Sequence, residues 1–255
     1  MKIAYRWRLR TTAPLHGRDN QLIVSLTSHA RRFPTLPLTL KCLLTQSIRP
    51  DRLILWLAEV DKSALPESVE SLQQDGLEIR YCEDLRSYKK IIPSLASFPE
   101  ADIVTADDDV YYWSDWLKEL VLAAERFPGD VVAHRMHKML GTGEAVRPYR
   151  EWPKKVSDQT RDRYNFATGV GGVFYPAGCF YPDVLNRSEF MRLCPDADDV
   201  WLYWMVRLNG CYELHSGTRR EPVNWLGSQA AGLWKRNKTG NDVQIRAMIE
   251  TYGLP

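Results

Sequence analysis

Cysteine is scarce and scattered in this chain: Cys42, Cys82, Cys179, Cys194 and Cys211, with no C-x-x-C pair among them. That spacing argues against a zinc site and against a disulfide framework, so a reducing cytoplasm is expected. Long apolar runs are missing too, and none approaches the roughly 20 residues that span a bilayer. The first ten residues, MKIAYRWRLR, lack the apolar centre of a signal peptide. They interleave Lys2, Arg6, Arg8 and Arg10 with Tyr5 and Trp7. Two readings stay open there, an edge strand or solvated tail and a weak patch for anionic membrane headgroups. No internal repeat, low-complexity tract or long linker divides the chain, so one domain over residues 1–255 is expected. A net charge of +2 is too small to argue for nucleic acid as a partner.

What is present is ordinary in bulk and unusual in detail. Hydrophobic residues at 44% and charged residues at 26% suit a globular protein with a sizeable core. Nine Trp and twelve Tyr suit a cleft that stacks on flat or ring-shaped ligands, although many of them must be core. Compact apolar runs at 21–26 (QLIVSL) and 52–58 (RLILWLA) read as buried strands, and LEIRYC at 77–82 alternates like a strand nearer an edge. Helical patterns fall between them at 36–46, 65–75 and 91–98, with stops at Pro50-Asp51, Gly76 and Pro99. Strand, helix, strand repeated over the first 110 residues predicts right-handed crossovers and a parallel, nucleotide-binding type of sheet. The second half is less regular. It offers an amphipathic helix at 116–126, a short strand at 131–133, and a long stretch at 141–168 without clear structure, of the sort that is functional or mobile.

The chain is organised around ADIVTADDDVYYWSDWLKEL, residues 101–120, where a β-branched strand runs into Asp107, Asp108 and Asp109. Three adjacent acids repel, and they stand at the carboxyl end of a strand, where open α/β sheets bind ligands. A hard divalent metal on oxygen ligands suits them; a solvated acidic loop capping the next helix is the plainer reading. A second cluster, Asp196, Asp198 and Asp199, precedes the apolar helix VWLYWMVRL. One Asp suffices to cap a helix, which leaves a carboxylate free to act as a general base. Between the clusters lies Gly169-Val170-Gly171-Gly172, a tight turn or a close approach of backbone to ligand. It is not G-x-G-x-x-G, so a dinucleotide fingerprint is rejected.

Taken in order, these features resemble the GT-A fold of nucleotide-sugar glycosyltransferases, in particular small bacterial members related to glycosyltransferase family 2. The matching stretches are VSLTS, QSIRPD, TADDDV, GVGGVFYP and DADDVW, closed by Asn209-Gly210, and they run from about Leu22 to Gly210. The resemblance implies an α/β fold with a Rossmann-like, mixed but mostly parallel sheet flanked by helices. It implies a nucleotide-binding half to about residue 110 and an acceptor-binding half beyond it. Mn2+ or Mg2+ would sit on Asp107 and Asp109, or on Asp108 and Asp109 in the other register, with His215 as a candidate third ligand. Thr27, Arg31, Asp84, Lys90 (or Lys89), Asp107 and Asp108 would contact the donor. Gly171 and Gly172 would line the acceptor side. Asp198 or Asp199 would be the catalytic base, since the family's Glu-Asp pair is Asp-Asp here.

The activity so implied is transfer of a sugar, with inversion, from a UDP-sugar to a glycan or lipid-linked glycan. The setting is bacterial surface polysaccharide synthesis in the cytoplasm, at or near the inner face of the membrane. Two other classes compete. A nucleotidyl- or phosphoryl-transfer enzyme would show an early glycine-rich phosphate loop with a Lys, and none is visible. A non-catalytic carbohydrate-binding module would not need two separated carboxylate clusters. His134, His137, Trp201 and Trp204 read as structural.

Overall fold

A computed structural model describes residues 13–142, 145–228 and 234–255; the basic and aromatic residues of the first ten positions lie outside it. The first half alternates as expected. β1 (Leu22–Thr27) leads to α1 (Leu36–Leu44), β2 (Arg52–Ala58), α2 (Glu67–Glu70), β3 (Leu77–Cys82), α3 (Ile92–Ser97) and β4 (Asp102–Ala106). α2 is shorter than its helical pattern, because a 3-10 turn over Ser71–Asp75 tightens the chain into Gly76, whose φ of 105° closes it.

Beyond β4 come β5 (Val110–Tyr111), α4 (Trp116–Arg126), β6 (Val131–Ala133), β7 (Met136–Lys138), β8 (Gly141–Thr142) and β9 (Ala145–Val146). They are followed by β10 (Lys154–Val156), β11 (Asn165–Ala167), β12 (Val173–Tyr175), α5 (Arg187–Leu193), α6 (Asp198–Leu208), β13 (Glu213–His215), β14 (Val223–Asn224) and α7 (Trp234–Tyr252). The stretch 141–168, which carries no visible pattern, therefore holds strands. β10, β7 and β11 form a small antiparallel sheet. Strands of three residues, one of them beginning Lys154-Lys155, are too short to register a period of two.

Among the described residues the main sheet runs β13-β6-β12-β4-β1-β2-β3. β3 is its edge, in keeping with its alternating sequence. All neighbouring pairs are parallel except those made by β12, which runs antiparallel to β4 and to β6. That one reversal fixes the site. Parallel strands deliver their carboxyl ends to one edge of the sheet, and β12 begins at that edge, so the glycine turn before it joins the aspartates after β4.

Helices cover both faces. β1 is sealed on both sides, with Leu22, Ile23 and Leu26 at 0% exposure. α6 buries Trp201, Tyr203 and Trp204 completely, confirming the tryptophans as core. Each such side chain contributes about 1.5–3 kcal/mol of burial, which anchors the helix and hence the acids at its start. No helix among the described residues is long and apolar enough to cross a membrane.

Candidate active site

The two carboxylate clusters meet at the carboxyl edge of the sheet, and Lys90 joins them. Its Nζ lies 2.9 Å from Asp198 Oδ2 and 3.4 Å from Asp107 Oδ1, with the lysine almost wholly buried. Burial alone would lower the Lys90 ammonium; the charges of Asp198, Asp107 and Asp199 outweigh it and hold the pKa well above the ordinary lysine value. Lys90 is therefore a fixed cation.

Lys90 is placed by the segment that follows β3. Asp84 Oδ1 accepts from Lys89 Nζ at 2.5 Å and from the Arg86 N–H at 3.0 Å. The Lys89 hydrogen bond holds the Asp84 carboxyl below its usual range. Arg86 sits at φ 55°, a left-handed position rare for its type. It reaches Asp196 at 2.7 Å and the Pro195 carbonyl at 3.0 Å. Tyr88 donates to the Cys194 carbonyl at 2.7 Å and stacks on Phe190 with ring centroids 4.3 Å apart. One short segment thus ties the third strand to the start of α6.

At that start the N-cap is Ala197, which has no capping side chain, and Asp198 and Asp199 occupy the first turn at the positive end of the helix. The acids do other work. Asp199 Oδ1 accepts the Gly169 N–H at 3.0 Å. Burial, and then the charge of Asp198, push the Asp199 carboxyl up to about 7, against the pull of Lys90. A side chain at Gly169 would put its Cβ 2.7 Å from Lys90 Nζ and 3.0 Å from Asp199 Oδ1, so any larger residue here would have to push the lysine or the carboxylate aside.

The acids after β4 are each engaged. Asp108 accepts from Ser28 Oγ at 2.5 Å, and burial raises its carboxyl to about 6 despite that bond. Asp109 pairs with Arg32. Asp107 stays partly open, its backbone N–H bonded to the Tyr112 hydroxyl at 2.7 Å, and burial raises its carboxyl against the charge of Lys90. Among the described residues no group of three or more His, Cys, Asp or Glu converges to hold a metal. Hard divalent ions of the octahedral kind are commonly held by one or two carboxylates, with substrate phosphates and water completing the shell. Asp107 and Asp109 would be the two carboxylates of such a site, and Asp109 is paired with Arg32 here.

His215 is not brought to them. Its Nε2–H donates to the His134 carbonyl at 3.0 Å and its Nδ1 accepts the Gly217 N–H at 3.0 Å, which leaves no lone pair for an ion. Thr27 is also otherwise employed, its hydroxyl donating to the Trp56 carbonyl at 2.8 Å to tie β1 to β2. Arg31 is exposed, while its neighbour Arg32 reaches the acids. Gly171 and Gly172 are buried at φ 101° and 106°; Trp116 Nε1 donates to the Gly171 carbonyl at 2.6 Å, and a Cβ on Gly172 would stand 2.6 Å from that ring. His134 is satisfied by Ser216 and the Trp116 carbonyl, and burial holds it down at about 3.

Sequence reasoning placed Gly169 in the glycine turn and Ser28 in the VSLTS stretch, and it gave no separate role to Ser28 or Arg32. The signal for Arg32 was a basic pair in the loop after the first strand, beside a strand that ends in three acids.

No model of a known protein family matches the sequence, and no curated protein matches it. Solved structures do. The TarS 1–349 structure from S. aureus superposes at a TM-score of 0.51 with 14% identity, over 78% of this chain and 58% of that one. The glucosyl-3-phosphoglycerate synthase of Mycobacterium tuberculosis superposes at 0.52 with 12% identity, over 93% of this chain and 81% of that one. Both are of GT-A type. This chain has the GT-A fold. It spans little more than half of the TarS chain it matches. The mycobacterial GT-A structure was solved with Mn2+, uridine diphosphate and glucosyl-3-phosphoglycerate, and TarS also with uridine diphosphate.

Proposed function

We propose that this chain is a metal-dependent glycosyltransferase that moves a sugar from a nucleoside diphosphate donor, a UDP-sugar, to an acceptor hydroxyl. The observation that carries this reading is the Lys90 bridge between Asp107 and Asp198, with Asp199 held beside it by the Gly169 N–H. It sets a cation between an acid of the fourth-strand cluster and the start of α6, beside a carboxylate that burial raises to about 7. The GT-A neighbours that hold uridine diphosphate add support, one of them with Mn2+ as well.

Asp107 and Asp109 would hold a divalent ion, which would supply neutralisation of the charge that grows on the departing diphosphate. Lys90 adds a fixed positive charge at the same place, pre-aimed and costing no reorganisation during the reaction. Asp199 takes the acceptor hydroxyl proton as the acceptor oxygen bonds the anomeric carbon and the bond to the phosphate oxygen breaks. A value near 7 keeps the carboxylate basic enough for this and leaves about half of it ionised at neutral pH. A single displacement inverts the anomeric centre. A glycan or lipid-linked glycan acceptor, handled at the cytoplasmic face of a membrane for surface polysaccharide, completes the proposal.

The test is a panel of nucleotide sugars assayed for donor hydrolysis and transfer, with Mn2+, with Mg2+ and with chelator. Turnover of a UDP-sugar that stops on chelation supports the reading. No turnover with any donor, or turnover indifferent to chelator, sinks it.

A further inference from the structure

We propose that the acceptor carries an anionic group, a phosphate or a carboxylate, that docks on Arg135 beside the catalytic carboxylate; the identity of the site rests on the glycosyltransferase reading above. Arg135 is the second residue after β6, on the same edge of the sheet as the aspartates. Its Nη1 donates to Thr168 Oγ1 at 3.2 Å, and its carbonyl accepts the Thr168 N–H at 3.1 Å. Thr168 adjoins Gly169, whose N–H holds Asp199. The arginine therefore stands one residue pair away from the base.

Unlike Lys90 and Arg32, Arg135 has no carboxylate within ion-pair distance among the described residues, although it is half-buried. A half-buried arginine without a counter-ion has its charge unmatched, and its planar fork fits phosphate and carboxylate oxygens two at a time. The surroundings carry the same sign. A Cβ on Gly171 would meet Pro222 at 3.0 Å and the Arg135 Cβ at 3.6 Å, so the loop over 217–222 closes against this spot. That loop brings the exposed Arg219 and Arg220, the latter with its guanidinium 5.6 Å from the centre of the Trp113 ring. Its acid, Glu221, is already paired to Lys155 at 3.1 Å. β10 adds Lys154, 5.9 Å over the Tyr149 ring. On the transferase reading the fourth-strand acids and Lys90 would take the donor's diphosphate, which leaves this basic mouth to the other substrate. A neutral hydroxyl compound would leave it unmatched.

The test titrates the whole protein with glycerol 3-phosphate, D-glycerate and glycerol as probes, with UDP and Mn2+ present and again without them. Binding is read from probe line shifts in NMR, at low salt and at high salt. The two anions should bind at least about tenfold more tightly than glycerol and weaken with salt. Arg135→Gln should weaken them about tenfold while the Kd for UDP stays within twofold. Arg220→Gln, on the exposed loop where folding is not at stake, should weaken them about threefold. Anions that bind no better than glycerol, or that bind both variants as well as the original, overturn the inference. Failure of UDP to bind would sink the transferase reading by itself, and the titration without UDP would still decide the role of Arg135.

Discussion

Asp199 is held in place by one backbone N–H and tuned by burial and by its neighbour Asp198. Asparagine keeps the oxygen that accepts from Gly169 and loses the ability to take a proton. Asp199→Asn should therefore cut kcat by about 10²–10⁴-fold while donor affinity, measured by titration with UDP and Mn2+, stays unchanged. Because the working form is the carboxylate, kcat/KM of the original protein should rise with pH through an apparent pKa of about 7, and this limb should vanish in the variant. Asp198, paired with Lys90, should behave differently, and Asp198→Asn should weaken UDP binding more than it slows turnover. The sequence displayed both acids but could not rank them. Their difference lies in contacts with Lys90 and Gly169, which are far from them along the chain.

At the scale of elements, the glycine turn before β12 performs two separable tasks. Gly169 makes room for Lys90 and Asp199, and the crowding atoms are side-chain ends that can move. Gly169→Ala should leave thermal stability nearly unchanged and depress turnover, since whatever gives way is the base or its cation. Gly172 faces the rigid Trp116 ring at a positive φ of 106°. Gly172→Ala should lower stability by about 1–3 kcal/mol from backbone strain alone, read as a drop in denaturant midpoint. The strands and helices of the first half were legible because each apolar run was long enough to show its period. The small sheet β10-β7-β11 was not, and the antiparallel course of β12 was not either. Strand direction is decided by how the chain returns to the sheet, and no local pattern encodes that. His215 shows the same limit, since a histidine's ligand capacity depends on what its two nitrogens already bond.

For the molecule as a whole, the buried acids set how stability responds to pH. Glu213, at 1% exposure, accepts the Ala167 N–H, and burial pushes its carboxyl from 4.5 up to about 8. Over the interval between, the folded protein holds this proton and the unfolded chain releases it, so stability falls as pH climbs from about 4.5 to 8. Glu213→Gln keeps the acceptor for Ala167 and removes the titration. Its melting temperature should match that of the original protein near pH 4.5 and exceed it by a growing margin toward pH 8. The same sheet that hides Glu213 gathers Asp107, Asp108, Asp109, Lys90 and Asp199 along one edge, and the proposed transfer depends on that gathering. Diffraction at the manganese edge, from crystals soaked with UDP and Mn2+, tests it most directly. An anomalous peak on the carboxylates of Asp107 and Asp109, with the diphosphate against it and Asp199 facing the sugar side, is the expected result. Uridine diphosphate bound away from those two acids, or bound there with no manganese peak, would contradict the account.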